Sequence, residues 1–257
     1  MSSAIKSELK VREQVTDSEW QARVNLAAAY RLVALHGWDD LIFTHLSARV
    51  PGPEHHFLLN PYGMMFEEVT ASSLVKVDLD GKKVMDSAYD INPAGFTIHS
   101  AVHAAREDAM CVIHLHTDHG IAVSAQKEGL LPLSQQAIFV LSSLGYHDYE
   151  GLALDDAEKP RLVADLGSNK FLILRNHGLL TVGKNPADAF LAMFLLEKAC
   201  KVQVLAQSGG AEQTQIDSQL VKKVAMQVKV AMVGIGGDLA WPGLLRKLDR
   251  IDTSYRE

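Results

Sequence analysis

Apolar positions in the first part of the chain recur at two periods, and each period predicts a different kind of element. Across residues 20–35 they return every three to four positions, which is typical of one face of an α-helix. The segment TDSE at positions 16–19 has the order of a capping box, and Gly37 provides a stop at the other end. We therefore predict a first helix that covers one face of a sheet.

Shorter apolar runs come next and predict two β-hairpins. Residues 41–50 and 56–60 flank the turn sequence PGP, and residues 74–79 and 83–85 flank an Asp-Gly pair. The segment NPYG between the two hairpins is typical of a loop. This part of the chain is therefore expected to supply antiparallel strands.

From residue 92 onwards, helical and extended patterns alternate. The pattern predicts strands over residues 111–116 and 171–174, and helices over residues 95–105, 120–127, 159–166, 186–205 and 218–233. Early hairpins followed by such alternation are typical of a layered α/β fold with a mixed sheet.

Length and composition favour one large domain. With 257 residues, 47% of them hydrophobic, the chain can bury a sizeable core. We assign residues 16–207 to this domain and the polar residues 1–15 to a flexible N-terminal arm. A glycine-containing linker over residues 207–211 leads into residues 208–257, a helical tail that packs on the same domain or on a neighbouring subunit.

Charge and cysteine usage narrow the partners. The net charge is −6 and the 25 basic residues are scattered along the chain, so we expect neither nucleic acid nor a membrane as a partner. Cys111 falls on a strand and Cys200 in the middle of a helix, which gives no disulfide framework. We therefore expect a cytoplasmic protein.

The segment CVIHLHTDH at positions 111–119 carries the candidate chemistry. His114 and His116 lie about 7 Å apart along one face of the predicted strand, so that both rings can converge on one ion. His177 follows a second apolar strand in the segment ILRNHG. Three histidines with an open position would make a metal site that still binds a substrate. The alternative is a set of hydrogen-bonded core histidines, since the chain has 11 histidines in all.

Three segments of the chain resemble the class II aldolase/adducin family. They are HLHTDHGIAVSAQ, the later ILRNHGLLTVG and the long alanine-leucine helix. The resemblance covers nearly the whole chain, and it is nearest to the adducin head and its bacterial relatives at FTHLSARV and AGFTIHSAVHAAR. It implies a three-layer α/β/α fold with a mixed, largely antiparallel sheet. It also implies a divalent metal, zinc above all, on His114, His116 and His177, and a homotetramer.

Several positions depart from the family pattern. The family's phosphate-binding pairs fall on Thr44 with His45, on Tyr62 with Gly63, and on residues 93–94. Of these only Gly63 is retained, which points to a substrate without phosphate. We expect substrate contacts from Thr44 and Gly63, and also from Gln136, where the family has a tyrosine from a neighbouring subunit.

Gly95 falls where the aldolases have a glutamate that binds the metal and acts as the base. Its side chain is missing, so we expect an open position at a metal that keeps its full double charge. His119 near the pocket mouth, His45 in a substrate loop and Tyr255 in the tail are then the candidate catalytic groups. Tyr255 has an alternative role as part of a structural clamp against the first helix.

Two functions from different classes follow. The first is a metal-dependent lyase that cleaves a C–C bond of a small oxygenated acid or carbonyl compound, by retro-aldol cleavage or decarboxylation, through an enolate that the metal holds. The second is a non-catalytic module for binding and self-association, like the adducin head, with association to the actin cytoskeleton implied by resemblance only.

Overall fold

A mixed sheet of seven strands organises the part of the chain that the structure describes. The structure is a computed structural model that describes residues 10–152, 156–214, 216–231 and 236–257, without the side chains of residues 94 and 229–231. Its strands are β1 His45–Arg49, β2 Phe57–Leu59, β3 Val75–Val77, β4 Cys111–Leu115, β5 Leu144–His147, β6 Phe171–Leu174 and β7 Gly178–Gly183. They lie in the order β3-β2-β1-β4-β7-β6-β5, and only β5 and β6 run parallel.

Helices cover both faces of this sheet. Within the described ranges they are α1 Val11–Gln14, α2 Asp17–Leu35, α3 Pro93–Ala105, α4 Asp118–Ser124, α5 Gln135–Leu141, α6 Lys159–Leu166, α7 Pro186–Ser208, α8 Ser218–Ala231 and α9 Gly237–Asp249. On one face α3 and α6 enclose an apolar cluster with β4, β6 and β7. On the other, α2, α4, α5, α7 and α9 pack around the larger core. The predicted three-layer α/β/α fold with a largely antiparallel sheet is confirmed.

Strand alternation decides which side chains face which layer. On β4, Cys111, Ile113 and Leu115 belong to the larger core under α2 and α7. His114 points to the opposite face, where it lies opposite His45 of the neighbouring strand. Burial raises the pKa of the Cys111 thiol, so this residue is an inert core side chain and not a ligand.

Capping side chains fix the N-termini of α2 and α7, the two longest of the described helices. The Thr16 hydroxyl accepts a hydrogen bond from the Glu19 N–H at the start of α2, as the sequence predicts. The Asn185 side chain does the same for the Asp188 N–H at the start of α7, where Pro186 occupies the first turn. Helix α7 then continues to Ser208, so it includes the first two residues of the predicted linker.

Some predicted boundaries are wrong. The first hairpin strand begins at His45 and not at residue 41, because Leu41 has a φ of 52° and opens a turn. Lys83 joins Val77 through a single bridge only, so the second predicted hairpin is mostly loop. The sequence reading also missed α5, β5 and β7. Residues 1–9 of the predicted arm and residues 232–233 of the predicted last helix lie outside the described residues.

The C-terminal tail packs on its own chain. Helix α9 lies against α7 and α2, and the Trp241 Nε1–H donates to Asn25 Oδ1 at 3.1 Å. Within the described ranges, every helix is too short or too polar to cross a lipid bilayer.

Candidate metal centre

His114, His116 and His177 converge where the end of β4 meets the turn between β6 and β7. His114 and His116 lie at the end of β4, and His177 lies in the tight turn that joins β6 to β7, the neighbour of β4. Asn176 makes that turn with a φ of 55°. A Cβ at Gly178 would lie 2.5 Å from the Leu115 carbonyl oxygen, so only glycine lets the turn come this close to β4.

The three rings stand at ligand spacing. Their centroids are 4.7 to 4.8 Å apart, and one nitrogen from each lies within 4.8 Å of the other two. The Nε2 atoms of His114 and His116 are 3.1 Å apart. These nitrogens face each other across a common point, which is the arrangement of a three-histidine metal site.

Outer partners fix two of the three rings. His114 Nδ1 lies 3.0 Å from the Leu179 carbonyl oxygen, which can only accept, so this nitrogen carries the proton and Nε2 offers its lone pair. His116 Nδ1 lies 2.9 Å from the Asp40 carboxylate, which orients that ring in the same sense. Carbonyl and carboxylate partners of this kind are typical of histidines that ligate a metal.

Burial holds His114 and His177 in the neutral form that a metal needs. Burial lowers the pKa of His114 well below its ordinary value, and the neighbouring His177 and His116 lower it further. Burial first, and then His116, lower the pKa of His177 to about 4. Neutral imidazoles bind metals without first losing a proton, so the donor set fits a divalent ion such as zinc.

A pocket of about 380 Å³ opens over the three histidines. Polar side chains reach it from Asp40, Asn92 and Asn176, and His45 and Gly95 form part of its wall. Its apolar lining residues are Phe43, Ile98, Ile121, Tyr149 and Leu152. Among the described residues that line it, none is a lysine or an arginine, so these residues offer no cationic side chain for a phosphate group.

The ring of His45 occupies the space beside Gly95. A Cβ on Gly95 would lie 2.4 Å from Nδ1 of His45, well inside contact distance. The imidazole therefore takes the space that a side chain at position 95 would need, and the open position expected at the metal stays a prediction. His45 is 4% exposed, and neither ring nitrogen has a hydrogen-bond partner among the described residues. An unsatisfied buried polar group costs about 1–3 kcal/mol.

Behind His45, a chain of hydrogen bonds ties α3 to β1. His103 Nδ1 lies 3.0 Å from the Ala109 carbonyl oxygen and therefore donates to it. His103 Nε2 then accepts from the Ser47 hydroxyl at 2.7 Å, and the Ser47 oxygen accepts from His99 Nδ1 at 2.6 Å. This order leaves His99 Nε2 unprotonated, and it has no partner among the described residues.

The other sequence candidates lie outside this pocket. His119 Nδ1 is 2.8 Å from the buried Glu197 carboxylate on α7, so the ring is held toward that helix. Thr44 is fully buried next to His45, Gly63 lies in an exposed loop, and Gln136 lies on α5. None of these four is among the described residues that line the pocket.

Tyr255 also lies away from the pocket. Its side chain is fully buried in a short 3-10 helix against α2, and its hydroxyl donates to Asp249 Oδ1 at 2.7 Å. A catalytic role for Tyr255 in its own chain is therefore wrong, and the alternative of a structural clamp stands.

Sequence reading missed Asp40, Asn92 and Tyr149. Asp40 follows the first helix and reaches His116 only through the fold, so no spacing in the sequence pairs the two. Tyr149 lies just beyond β5, a strand that the periodicity did not reveal, and its ring centroid is 6.5 Å from that of His177. Asn176 was within reach, since an asparagine between two strand-like runs is typical of a turn with positive φ.

Comparisons with known proteins find relatives of one family. The family model described as the class II aldolase and adducin N-terminal domain matches residues 24–204. A protein of Pseudomonas aeruginosa, described provisionally as an aldolase class 2 protein, is 64% identical over 250 residues, or 96% of each chain. Alpha-adducin of Mus musculus is 49% identical over 195 residues, which cover 74% of this chain and 26% of that protein. The solved L-fuculose 1-phosphate aldolase from Glaciozyma antarctica is 28% identical, with a TM-score of 0.81 over 93% of each chain.

Proposed function

Because the chain belongs to the class II aldolase and adducin family, we propose that it is a metal-dependent lyase. It cleaves a C–C bond of a small oxygenated acid or carbonyl compound, by retro-aldol cleavage or by decarboxylation. The observation that carries this proposal is the convergence of three imidazoles in a pocket, two of them oriented from behind by Asp40 and the Leu179 carbonyl oxygen.

Different side chains of this pocket bind the metal and contact the substrate. His114, His116 and His177 hold a divalent ion, and zinc suits an all-nitrogen donor set best. When bound there, such an ion supplies a Lewis acid that stabilises negative charge on a substrate oxygen. Phe43, Ile121 and the other apolar lining residues offer contact surface for the carbon part of a substrate.

The substrate carries no phosphate. The described residues that line the pocket include no lysine or arginine, and Thr44, at a position that binds phosphate in the aldolases of the family, is fully buried. The substrate contacts expected at Thr44, Gly63 and Gln136 have no support within one chain. His119 and Gln136 keep a possible role only through a neighbouring subunit.

Metal analysis of purified protein tests the proposal. We expect about one zinc per chain in the wild type, and a loss of that equivalent in each of His114→Ala, His116→Ala and His177→Ala, because two remaining nitrogens do not hold the ion. The matched control is His56→Ala, a histidine remote from the pocket, which should keep its full equivalent. A triple-alanine variant that still carries one zinc per chain would show that the metal lies elsewhere.

The second candidate function is a binding module without catalysis. It is favoured by the 49% identity with alpha-adducin and by the absence of an ionisable side chain at Gly95. In this case the chain self-associates and, by likeness to that relative alone, binds the actin cytoskeleton. Co-sedimentation with actin filaments, with wild type and with His114→Ala, separates the two functions. Binding that survives loss of the metal favours the module, whereas no binding with an intact metal favours the enzyme.

We also propose a homotetramer that works in the cytoplasm. The tetramer is supported by family membership and by the solved aldolase of the same fold. The location is supported by Cys111 and Cys200, which are both buried and free.

A further inference from the structure

The side chain at position 95 and the ring of His45 exclude each other. A Cβ on Gly95 would lie 2.4 Å from Cε1 and Nδ1 of His45 and 2.5 Å from Cδ2. A Cβ at position 95 would therefore overlap several atoms of the imidazole ring and not only one atom at its end. A residue larger than glycine at position 95 requires His45 to leave this place.

Helix α3 cannot move away to relieve such a contact. The bonds of His99 and His103 to Ser47 hold its middle and end against β1 at 2.6 and 2.7 Å. Arg49 of the same strand adds a bond to the His103 carbonyl oxygen. Since Ser47 is two residues from His45 on one strand face, the spacing between position 95 and His45 is fixed by this anchor.

His45 is also the pocket's one described histidine outside the metal triad, and it lies at the pocket wall with both nitrogens buried. It lines the pocket together with His114, His116 and His177. It is 4% exposed, and both nitrogens lack a partner among the described residues. Unlike a carboxylate, a neutral imidazole presents an N–H donor as well as a lone pair.

We propose that His45 is the substrate-binding residue that replaces a side chain at position 95, and that its N–H binds an anionic oxygen of the molecule held at the three histidines. This deepens the proposed function and rests on it, because the molecule must sit at that centre. The substrate class is thereby narrowed to compounds that place a carboxylate or a similar oxygen anion beside the metal, where a carboxylate at position 95 would repel it.

Cobalt-loaded protein and oxalate test the contact. Cobalt(II) reports its ligands in its visible absorption, and oxalate is a small oxygen anion without phosphate. We expect His45→Phe, which fills the space without a nitrogen, to bind one cobalt per chain as the wild type does but to weaken oxalate binding at least tenfold. His45→Asn keeps an N–H donor and should recover part of that loss, and His56→Phe should bind oxalate like the wild type.

A second measurement on metal-free protein tests the mutual exclusion. We expect Gly95→Ala to lower the melting temperature in the wild-type background and to lower it far less, or to raise it, in the His45→Ala background. An equal loss in both backgrounds would overturn the exclusion.

The two measurements distinguish a failure of the metal centre from a failure of the role of His45. If wild-type protein takes up no cobalt at the triad, the proposed function fails, and the melting temperatures still decide whether His45 holds the place of residue 95. If His45→Phe binds oxalate as tightly as the wild type, or loses cobalt as a ligand variant would, the role of His45 is overturned while the metal centre stands.

Discussion

At the scale of single residues, burial of neutral histidines makes the fold sensitive to acid. His103 is fully buried between α3 and β1, and burial first, followed by the charge of Arg49, lowers its pKa to about 3. A histidine in an unfolded chain has a pKa near 6.5, so below that pH the unfolded chain takes up a proton that the folded chain refuses. We expect the free energy of unfolding to fall by up to about 1.4 kcal/mol per pH unit from His103 alone, between pH 6.5 and 3. Urea unfolding across this window measures the slope, and His103→Gln should flatten it.

Ser47→Ala provides the matched control for that slope. It removes the hydrogen bond to His103 but leaves the titrating ring, so it should lower the free energy of unfolding while the slope persists. A His103→Gln protein with the wild-type slope would place the acid sensitivity elsewhere.

Among residues, strand alternation predicted the pair His114 and His116, because their spacing puts both rings on one face, whereas His177 was predicted from the end of a second apolar strand and from the family resemblance. The packing of His45 against Gly95 was out of reach. It depends on the distance between α3 and β1, which hydrogen bonds between residues some fifty positions apart determine.

At the scale of elements, the C-terminal segment acts as a clamp on α2 and the loop that follows the first hairpin. The Ala71 N–H donates to the Tyr255 carbonyl oxygen at 3.0 Å, and Arg31 of α2 pairs with Asp252 at 3.1 Å. We expect Tyr255→Ala to lower the free energy of unfolding by about 3 kcal/mol, since it empties a fully buried aromatic site. Zinc content should stay at the wild-type level, because the clamp lies away from the pocket.

Tyr255→Phe is the control for this change. It keeps the packing and loses only the bond to Asp249, so the loss of stability should be about 1 kcal/mol. Metal loss or weaker oxalate binding in Tyr255→Ala at an unchanged melting temperature would contradict the clamp and restore a role near the centre.

Elements with a clear period and a cap were predictable, as α2 and α7 show. Strand β7 was not, because it is buried on both faces and its apolar run lacks the alternation that marks a half-exposed strand. Strand β5 is only four residues long and begins at Leu144, shortly after α5 ends at Leu141, which leaves too few positions for a period to show.

At the scale of the whole molecule, the oligomeric state decides whether His119 and Gln136 can lie at the pocket of a neighbouring subunit. His119 and Gln136 do not line the pocket of their own chain, so only a neighbouring subunit can bring a site to them. We expect light scattering to give four times the 28.1 kDa mass of one chain at micromolar concentration. A mass of 28.1 kDa under the same conditions would reject the tetramer and, with it, any part for these two residues.

The place of the third histidine has a consequence for how the centre forms. His177 reaches the other two only after β7 has paired with β4, a contact whose hydrogen bond joins residues 65 positions apart. In the unfolded chain the ligands are dispersed, so an ion cannot gather them before the sheet exists. Closing so long a loop is slow and belongs late in folding. An ion held by the three histidines would therefore stabilise the finished sheet and slow its opening, and it would not guide the chain to that sheet.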